Sequence, residues 1–240
     1  MKRSKDFYNK EAKKYDKKRW KHDSGKYTNR VQKNIFQEII EDIRGKKVLE
    51  IGPGTGRFTK IMLKKGGKVT AIDISSKMID KLDSNICNGR ERLKTLIGDA
   101  RNINISDKSF DYIVSINTFS HISNYEQAIS ECSRLLRDNG KLILNVPNYV
   151  SLYAPYGILV NVLKKSIRRG VFTKWYSIKE VKKVIEENSI SVVETKGHIH
   201  LPVNAPNKLI DIISKIDRNM RDGVLKCFSP IIFLKARKRH

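Results

Sequence analysis

Cysteine is scarce in this chain of 240 residues, which has only Cys87, Cys132 and Cys227. An odd number, without Cys-x-x-Cys spacing or neighbouring histidines, argues against a disulfide framework and against a zinc site. A reduced, cytoplasmic compartment is the expectation. Long apolar runs are also missing: none approaches the ~18–20 residues needed to span a bilayer. The N-terminal stretch MKRSKDFYNKEAKKYDKKRW is basic but has no apolar signal-peptide core. The expectation is therefore a soluble protein, at most peripheral to a membrane. Acidic residues are outnumbered, 25 Asp and Glu against 49 Lys and Arg, for a net charge of +24. Such a positive field attracts RNA, an anionic membrane or an acidic metabolite. A compositional bias toward Lys and Ile, leaving a solvated surface with no partner, accounts for the charge equally well.

The apolar positions that remain are patterned. Tyr8, Ala12 and Tyr15 share one face of a basic helix over residues 5–19, and Val31, Ile35, Phe36, Ile39, Ile40 and Ile43 repeat at helical spacing until Gly45. Strand and helix then alternate: KKVLEIG, a helix from Gly56 to Lys65, KVTAID, a helix from Ser75 to Leu82, LKTLIG and FDYIVSIN. That alternation predicts an α/β fold with parallel strands. A helix over Asn124–Arg137, with Cys132 in its apolar stripe, leads into the turn and strand DNGKLILNVPN. Ser177 and Glu180 read as a capping box for a further helix. ISVVETKGHIH and CFSPIIFLKA read as final strands on either side of an amphipathic stretch from Asn207 to Met220. The chain is long enough for one sizeable domain. Within it we distinguish a basic N-terminal lid (1–30), a ligand-binding core (31–147), an amphipathic insert (148–176) and C-terminal helices and strands (177–240).

Chemistry concentrates at the ends of the predicted strands. Val48-Leu49-Glu50-Ile51 runs directly into Gly52-Pro53-Gly54-Thr55-Gly56, a turn whose glycines let a ligand approach the backbone. The third glycine falls at 56, and Arg stands at 57, so the spacing departs from the dinucleotide-binding G-x-G-x-x-G. Asp73 ends the second strand, where a carboxylate can accept both hydroxyl protons of a ribose; capping the next helix is its ordinary alternative, although Ser75 suits that role. Asp99 follows the third strand and alone would pass as a turn aspartate.

In order, VLEIGPGTGRFT, VTAIDIS, IGDARNI, FDYIVSINTFSHI and LLRDNGKLILNVPN resemble the motifs of class I S-adenosylmethionine-dependent methyltransferases over about residues 8–147. The resemblance implies a Rossmann-like, doubly wound, seven-stranded sheet, mostly parallel with one antiparallel strand, and S-adenosylmethionine as cofactor. It implies that Gly52, Gly54 and Gly56 border the amino-acid part of the cofactor, with Glu50 supporting the loop. Asp73 would hold the ribose, Asp99 and the Ala100 backbone would read the adenine, Ile74 would lie on its face, and Asn117 would line the methionine side. Tyr8 and the pair Tyr15-Asp16 resemble the covering helix of small-molecule members.

The acceptor is less constrained. Methyl transfer is an in-line displacement that depends chiefly on alignment and exclusion of water. His121, just past the fourth strand, is the candidate general base, against the commoner case of a loop histidine bonded to a carbonyl. His198 and His200 share a strand face, too few ligands for a metal, and read as a polar sheet face or the border of an acceptor pocket. The sequence after the fourth strand, INTFSHI, lacks the Asn-Pro-Pro-Tyr type of motif found in base-amino methyltransferases. The pattern resembles the small-molecule and quinone-type enzymes more closely, and a small-molecule or lipid-like acceptor is expected. An RNA acceptor and a noncatalytic cofactor-binding protein are the alternatives. The insert joins Tyr153, Tyr156, Ile158, Leu159, Val162, Leu163 and Ile167 to Lys164, Lys165, Arg168 and Arg169. Residues 152–169 suit either an anionic membrane interface or an active-site lid packed on the protein.

Overall fold

The alternating strands assemble, in the computed structural model, into one sheet flanked by helices on both faces. The structure describes residues 2–151, 173–199 and 205–240, together with the pairs 154–155, 158–159 and 162–163. The strands are β1 (Lys47–Ile51), β2 (Lys68–Asp73), β3 (Leu93–Ile97), β4 (Phe110–Ser115), β5 (Leu136–Pro147), β6 (Ile190–His198) and β7 (Ile231–Lys238). They pair in the order β3-β2-β1-β4-β5-β7-β6. The first five are mutually parallel, and β7 runs antiparallel to both β5 and β6. The expected fold class, mostly parallel with one reversed strand, is the one observed. Chain order reverses between β1 and β4, and this places a crevice at the carboxyl ends of those two strands.

Both faces of the sheet are covered, so its central strands are continuously apolar rather than alternating. Val48 of β1 joins the core on one face and Leu49 the core on the other. The first core is roofed by α3 (Asp23–Ile39), α4 (Thr59–Lys64) and α5 (Ser76–Asn85), the second by α6 (Tyr125–Leu135) and α7 (Ile178–Glu187). Ile35 and Phe36 of α3 are fully buried, and each such side chain stabilises the fold by roughly 1.5–3 kcal/mol. Two short helices, α1 (Lys2–Glu11) and α2 (Tyr15–Trp20), precede α3, and α8 (Asn207–Asp222) lies between β6 and β7. Among the described residues no helix is long and apolar enough to cross a membrane.

Several element boundaries differ from the sequence reading. The N-terminal helix breaks at Ala12–Lys14, a 3-10 turn that separates α1 from α2. Helix α3 begins at Asp23, eight residues before Val31, because Tyr27 and Thr28 extend its buried stripe by two turns. It stops at Ile39: Ile40 turns to extended backbone (φ −82°, ψ 121°) while its N–H still closes on Phe36 O. Ile40 and Ile43 stay buried, but in the loop that feeds β1. Residues 56–58 form turn rather than helix, and α4 starts at Thr59. Ser177 is the N-cap of α7, yet its side chain caps nothing, so the expected capping box is not made. Asn124 does cap α6, its Oδ1 accepting from Gln127 N. The insert falls largely outside the described residues, as does His200. Among its described apolar residues, Ala154 and Tyr176 are buried, Tyr149 and Val150 are exposed, and Ile158, Leu159, Val162 and Leu163 are exposed in helical conformation.

Candidate functional site

A pocket opens at the carboxyl ends of β1 to β4, where the strand order reverses. The loop after β1 contributes Gly52, Gly54 and Thr55. The end of β2 contributes Asp73 and Ile74, and that of β3 contributes Asp99, Ala100 and Arg101. From beyond β4 come Asn117, Thr118 and His121, while Tyr8 of α1 and Tyr15 of α2 close the pocket from above. Two of the expected residues are not in the lining. Glu50 is buried inside β1 beneath the loop, where its Oε2 accepts a 2.5 Å hydrogen bond from Thr59. Gly56 faces away from the pocket, and a Cβ there would lie 2.7 Å from Leu82 Cδ1 of α5. Its φ of +91° and that contact give it a packing reason to be glycine.

The turn after β1 is shaped by its neighbours. At Gly52 (φ +70°) a Cβ would sit 2.3 Å from Thr118 Oγ1, so strand β4's loop and the glycine turn approach as only glycine permits. Thr118 Oγ1 donates to Gly52 O at 3.2 Å. Gly54 (φ +58°) has open space where a side chain would stand.

Three carboxylates lie at or under the pocket in different electrostatic states. Burial pushes Glu50 up to about 7 against the bond from Thr59. Burial likewise raises Asp73 to about 6, although the backbone N–H groups of Ser75, Gly54 and Ile74 pull the other way. Ser75 N donates to Asp73 Oδ1 at 2.9 Å, and no side chain among the described residues donates to that carboxylate. Ser75 itself caps α5 by accepting from Met78 N, which leaves Asp73 directed at the pocket. Asp99 is instead held below the usual range by Arg101, whose guanidinium grips both oxygens at 2.7–3.1 Å.

Asn117 adopts φ +60°, an uncommon backbone conformation in which Asn is one of the better-tolerated residues. A network holds it there. Its N–H donates to Asn145 Oδ1 at 2.6 Å, its Oδ1 accepts from Asn145 Nδ2, and its Nδ2 donates to Gln32 Oε1. Arg57 donates to the same Gln32 oxygen and to Asn29 Oδ1, while stacking 3.7 Å above the Trp20 ring. Burial lowers the Arg57 guanidinium to about 10. Gln32, Arg57, Asn145 and Thr118 were not anticipated. Gln32 had a legible signal, since it is a polar residue between Val31 and Ile35 in the apolar part of the buried stripe of α3. Arg57 is legible in the sequence only as a departure from the G-x-G-x-x-G spacing.

The N-terminal helices are fastened over the site by named contacts. Thr55 Oγ1 donates to Asp16 at 2.7 Å, and Ser75 Oγ donates to Asn9 at 2.7 Å. Tyr8 sits between the Tyr15 ring (6.4 Å) and the His121 ring (5.9 Å), with its phenol raised above the ordinary value chiefly by burial. His198 is neither an exposed sheet-face residue nor part of this pocket. It is completely buried at the end of β6, 3.5 Å from Asp217 of α8. Asp217 also accepts from Tyr27 OH and from Ile199 N.

Residues 49–144 match the methyltransferase domain family model. An uncharacterized protein of Methanocaldococcus jannaschii is 29% identical over 98% of this chain and 90% of its own length. Demethylmenaquinone methyltransferase of Thermotoga maritima is 30% identical over 45% of this chain and 46% of its own length, so this match spans about half of that relative. Among solved structures, a methyltransferase of Thermotoga maritima described as a possible histamine N-methyltransferase superposes with a TM-score of 0.69 at 17% identity, over 98% of this chain and 99% of that one. Residues 49–144 thus carry a methyltransferase domain, and the chain over its whole length has the fold of a solved S-adenosylmethionine-dependent methyltransferase.

Proposed function

We propose that this enzyme methylates a small-molecule or lipid-like acceptor, which reaches the pocket between the N-terminal helices and the loop after β4. The observation that carries the reading is the convergence of Asp73, Asp99, Asn117 and His121 on one pocket roofed by Tyr8 and Tyr15. The residues present fit the cofactor. Asp73 has a carboxylate that lacks side-chain donors and faces the pocket, which suits the two ribose hydroxyls. The open space above Gly54 suits the amino-acid end, bordered also by Gly52, with Glu50 and Gly56 supporting the turn from behind. Ile74 offers an apolar face to the adenine, and the Ala100 backbone with Asp99 its polar edge. Asn117, fixed by Gln32 and Asn145, lines the methionine side.

When bound, the cofactor supplies an electrophilic methyl group on a sulfonium. The protein aligns the acceptor with that group and excludes water, which is where most of its rate advantage resides. Tyr8 and Tyr15 exclude solvent, and His121 accepts the acceptor's proton when the attacking atom is a hydroxyl or protonated amine. Exposed apolar residues beyond β5, Tyr149, Val150, Ile158, Leu159, Val162 and Leu163, favour a lipid-like acceptor drawn from a membrane interface. So does the half-length similarity to a quinone methyltransferase.

The test is incubation with methyl-labelled S-adenosylmethionine and cell extract, followed by counting label in separated lipid, small-molecule, RNA and protein fractions. Label in the lipid or small-molecule fraction that disappears with Asp73→Ala is the expected result. Label in RNA would replace the acceptor class, and equal labelling by the Asp73→Ala protein would remove the ribose assignment.

A further inference from the structure

Helix α2 has two occupied faces. Tyr15 lines the cofactor pocket, Asp16 takes the Thr55 hydroxyl, and Trp20 stacks on Arg57, so one side is committed inward. On the other side stand Lys17 and Lys18 of α2, flanked by Lys14 at the end of the preceding 3-10 turn and Lys21 at the C-cap. They line a second cavity of about 760 Å³ with His22, Asp23 and Ala205, the last just ahead of α8. Two of its charges are already matched: Lys18 pairs with Glu11 at 2.7 Å and Asp23 with Lys26 at 2.9 Å. Lys14, Lys17 and Lys21 have no carboxylate partner among the described residues. The amino end of α3, with His22 as an N-cap whose side chain caps nothing, borders the same cavity and adds the positive end of its dipole. Three unmatched ammonium groups and a helix amino terminus around one hollow repel one another until an anion enters.

We propose that this cavity binds a phosphate-bearing ligand, and that its occupant stabilises α2 in the position that places Tyr15 and Asp16 over the cofactor pocket. A phosphate suits the site because it carries up to two negative charges and several acceptor oxygens for ammonium donors that line one cavity. Because α2 separates the two cavities, ligands on its two sides reinforce each other, and the reinforcement is reciprocal. The source of the phosphate is either a soluble phosphoester or pyrophosphate, such as an activated acceptor carries, or the headgroup of an anionic lipid. The coupling rests on the cofactor placement proposed above, whereas the anion site does not.

Calorimetric titration of the full chain with pyrophosphate at fixed ionic strength reads the anion site alone. Lys17→Ala/Lys21→Ala changes two exposed side chains outside the cofactor pocket, and about tenfold weaker pyrophosphate binding is expected as charge-assisted bonds are lost. S-adenosylmethionine affinity without pyrophosphate is expected to be the same in both proteins, and to tighten on adding pyrophosphate only in the parent. Vesicles of phosphatidylglycerol form the second arm: binding lost in the double variant, with no pyrophosphate binding by the parent, assigns the site to a lipid headgroup. Equal affinity of parent and variant for both probes overturns the proposal. An RNA oligonucleotide bound more tightly than either probe, with a steep salt slope and the same loss in the variant, overturns it in favour of nucleic acid. Failure of the cofactor to bind, with the pyrophosphate difference intact, would count against the function proposed above and leave the anion site standing.

Discussion

Asp73 and His121 carry the sharpest expectations at the scale of single residues. Asp73 titrates near 6 because burial raises it above the unfolded value. On the proposed placement, ribose hydroxyls would donate to its ionised form, so cofactor affinity is expected to fall as pH drops through about 6 and to level off above it. Asp73→Asn removes both the carboxylate and this pH dependence, which separates Asp73 from Glu50, raised to about 7 nearby. Equilibrium binding across pH checks the point; an unchanged profile in the variant would assign the titration elsewhere. The sign for stability is opposite to that of an ordinary salt-bridged aspartate: ionising Asp73 above its folded pKa costs folding free energy, and the cost is relieved below it. His121→Ala is expected to lower turnover about a hundredfold with cofactor affinity unchanged if the ring takes the acceptor's proton. Equal turnover would give His121 a structural place beside Tyr8 rather than a catalytic one.

At the scale of elements, the buried cluster of Tyr27, Asp217 and His198 ties α3, α8 and β6 together. Burial alone would raise the Asp217 carboxyl, but His198, the Ile199 N–H and the Tyr27 hydroxyl outweigh it and hold the group below the ordinary carboxylate value. A depressed carboxylate contributes stability that is present above its unfolded pKa of about 3.9 and lost as pH falls through the folded value. Removing one member of a buried pair leaves the others without their partner, so Asp217→Ala is expected to cost roughly 3–5 kcal/mol in urea denaturation. Asp217→Asn keeps two of the hydrogen bonds and should cost less. Helix α3 also delivers Gln32 to Asn117 and Arg57, so a single helix contributes to the core and braces two residues that line the pocket.

For the whole molecule, the question is what the positive surface and the exposed apolar residues do together. The apolar residues after β5 and the lysine face of α2 both belong to segments at the carboxyl end of the sheet, where the pocket opens. Apolar insertion and attraction to anionic lipid are additive in membrane binding. Replacing Leu159 and Leu163 with Ser is expected to weaken sedimentation with anionic vesicles several-fold, since each buried methylene contributes about 0.8 kcal/mol. Turnover on a soluble acceptor is expected to remain. Unchanged vesicle binding would make the segment a cover packed over the active site.

The sequence by itself determined the sheet, because strands buried on both faces must be continuously apolar and the helices between them must present one apolar stripe. It also identified the glycine turn, Asp73, Asp99 and Asn117 as strand-end residues, since position after a strand is a local property. Tertiary structure decided which of these face the pocket: Gly52 and Gly54 do, while Gly56 turns to Leu82 and Glu50 lies beneath. It decided that Arg101 holds Asp99, that Gln32 reaches Asn117 across 85 positions of sequence, and that His198 is buried beside Asp217. Such pairings depend on helices crossing the sheet at particular angles, and neither periodicity nor spacing along one segment encodes where a second segment will lie.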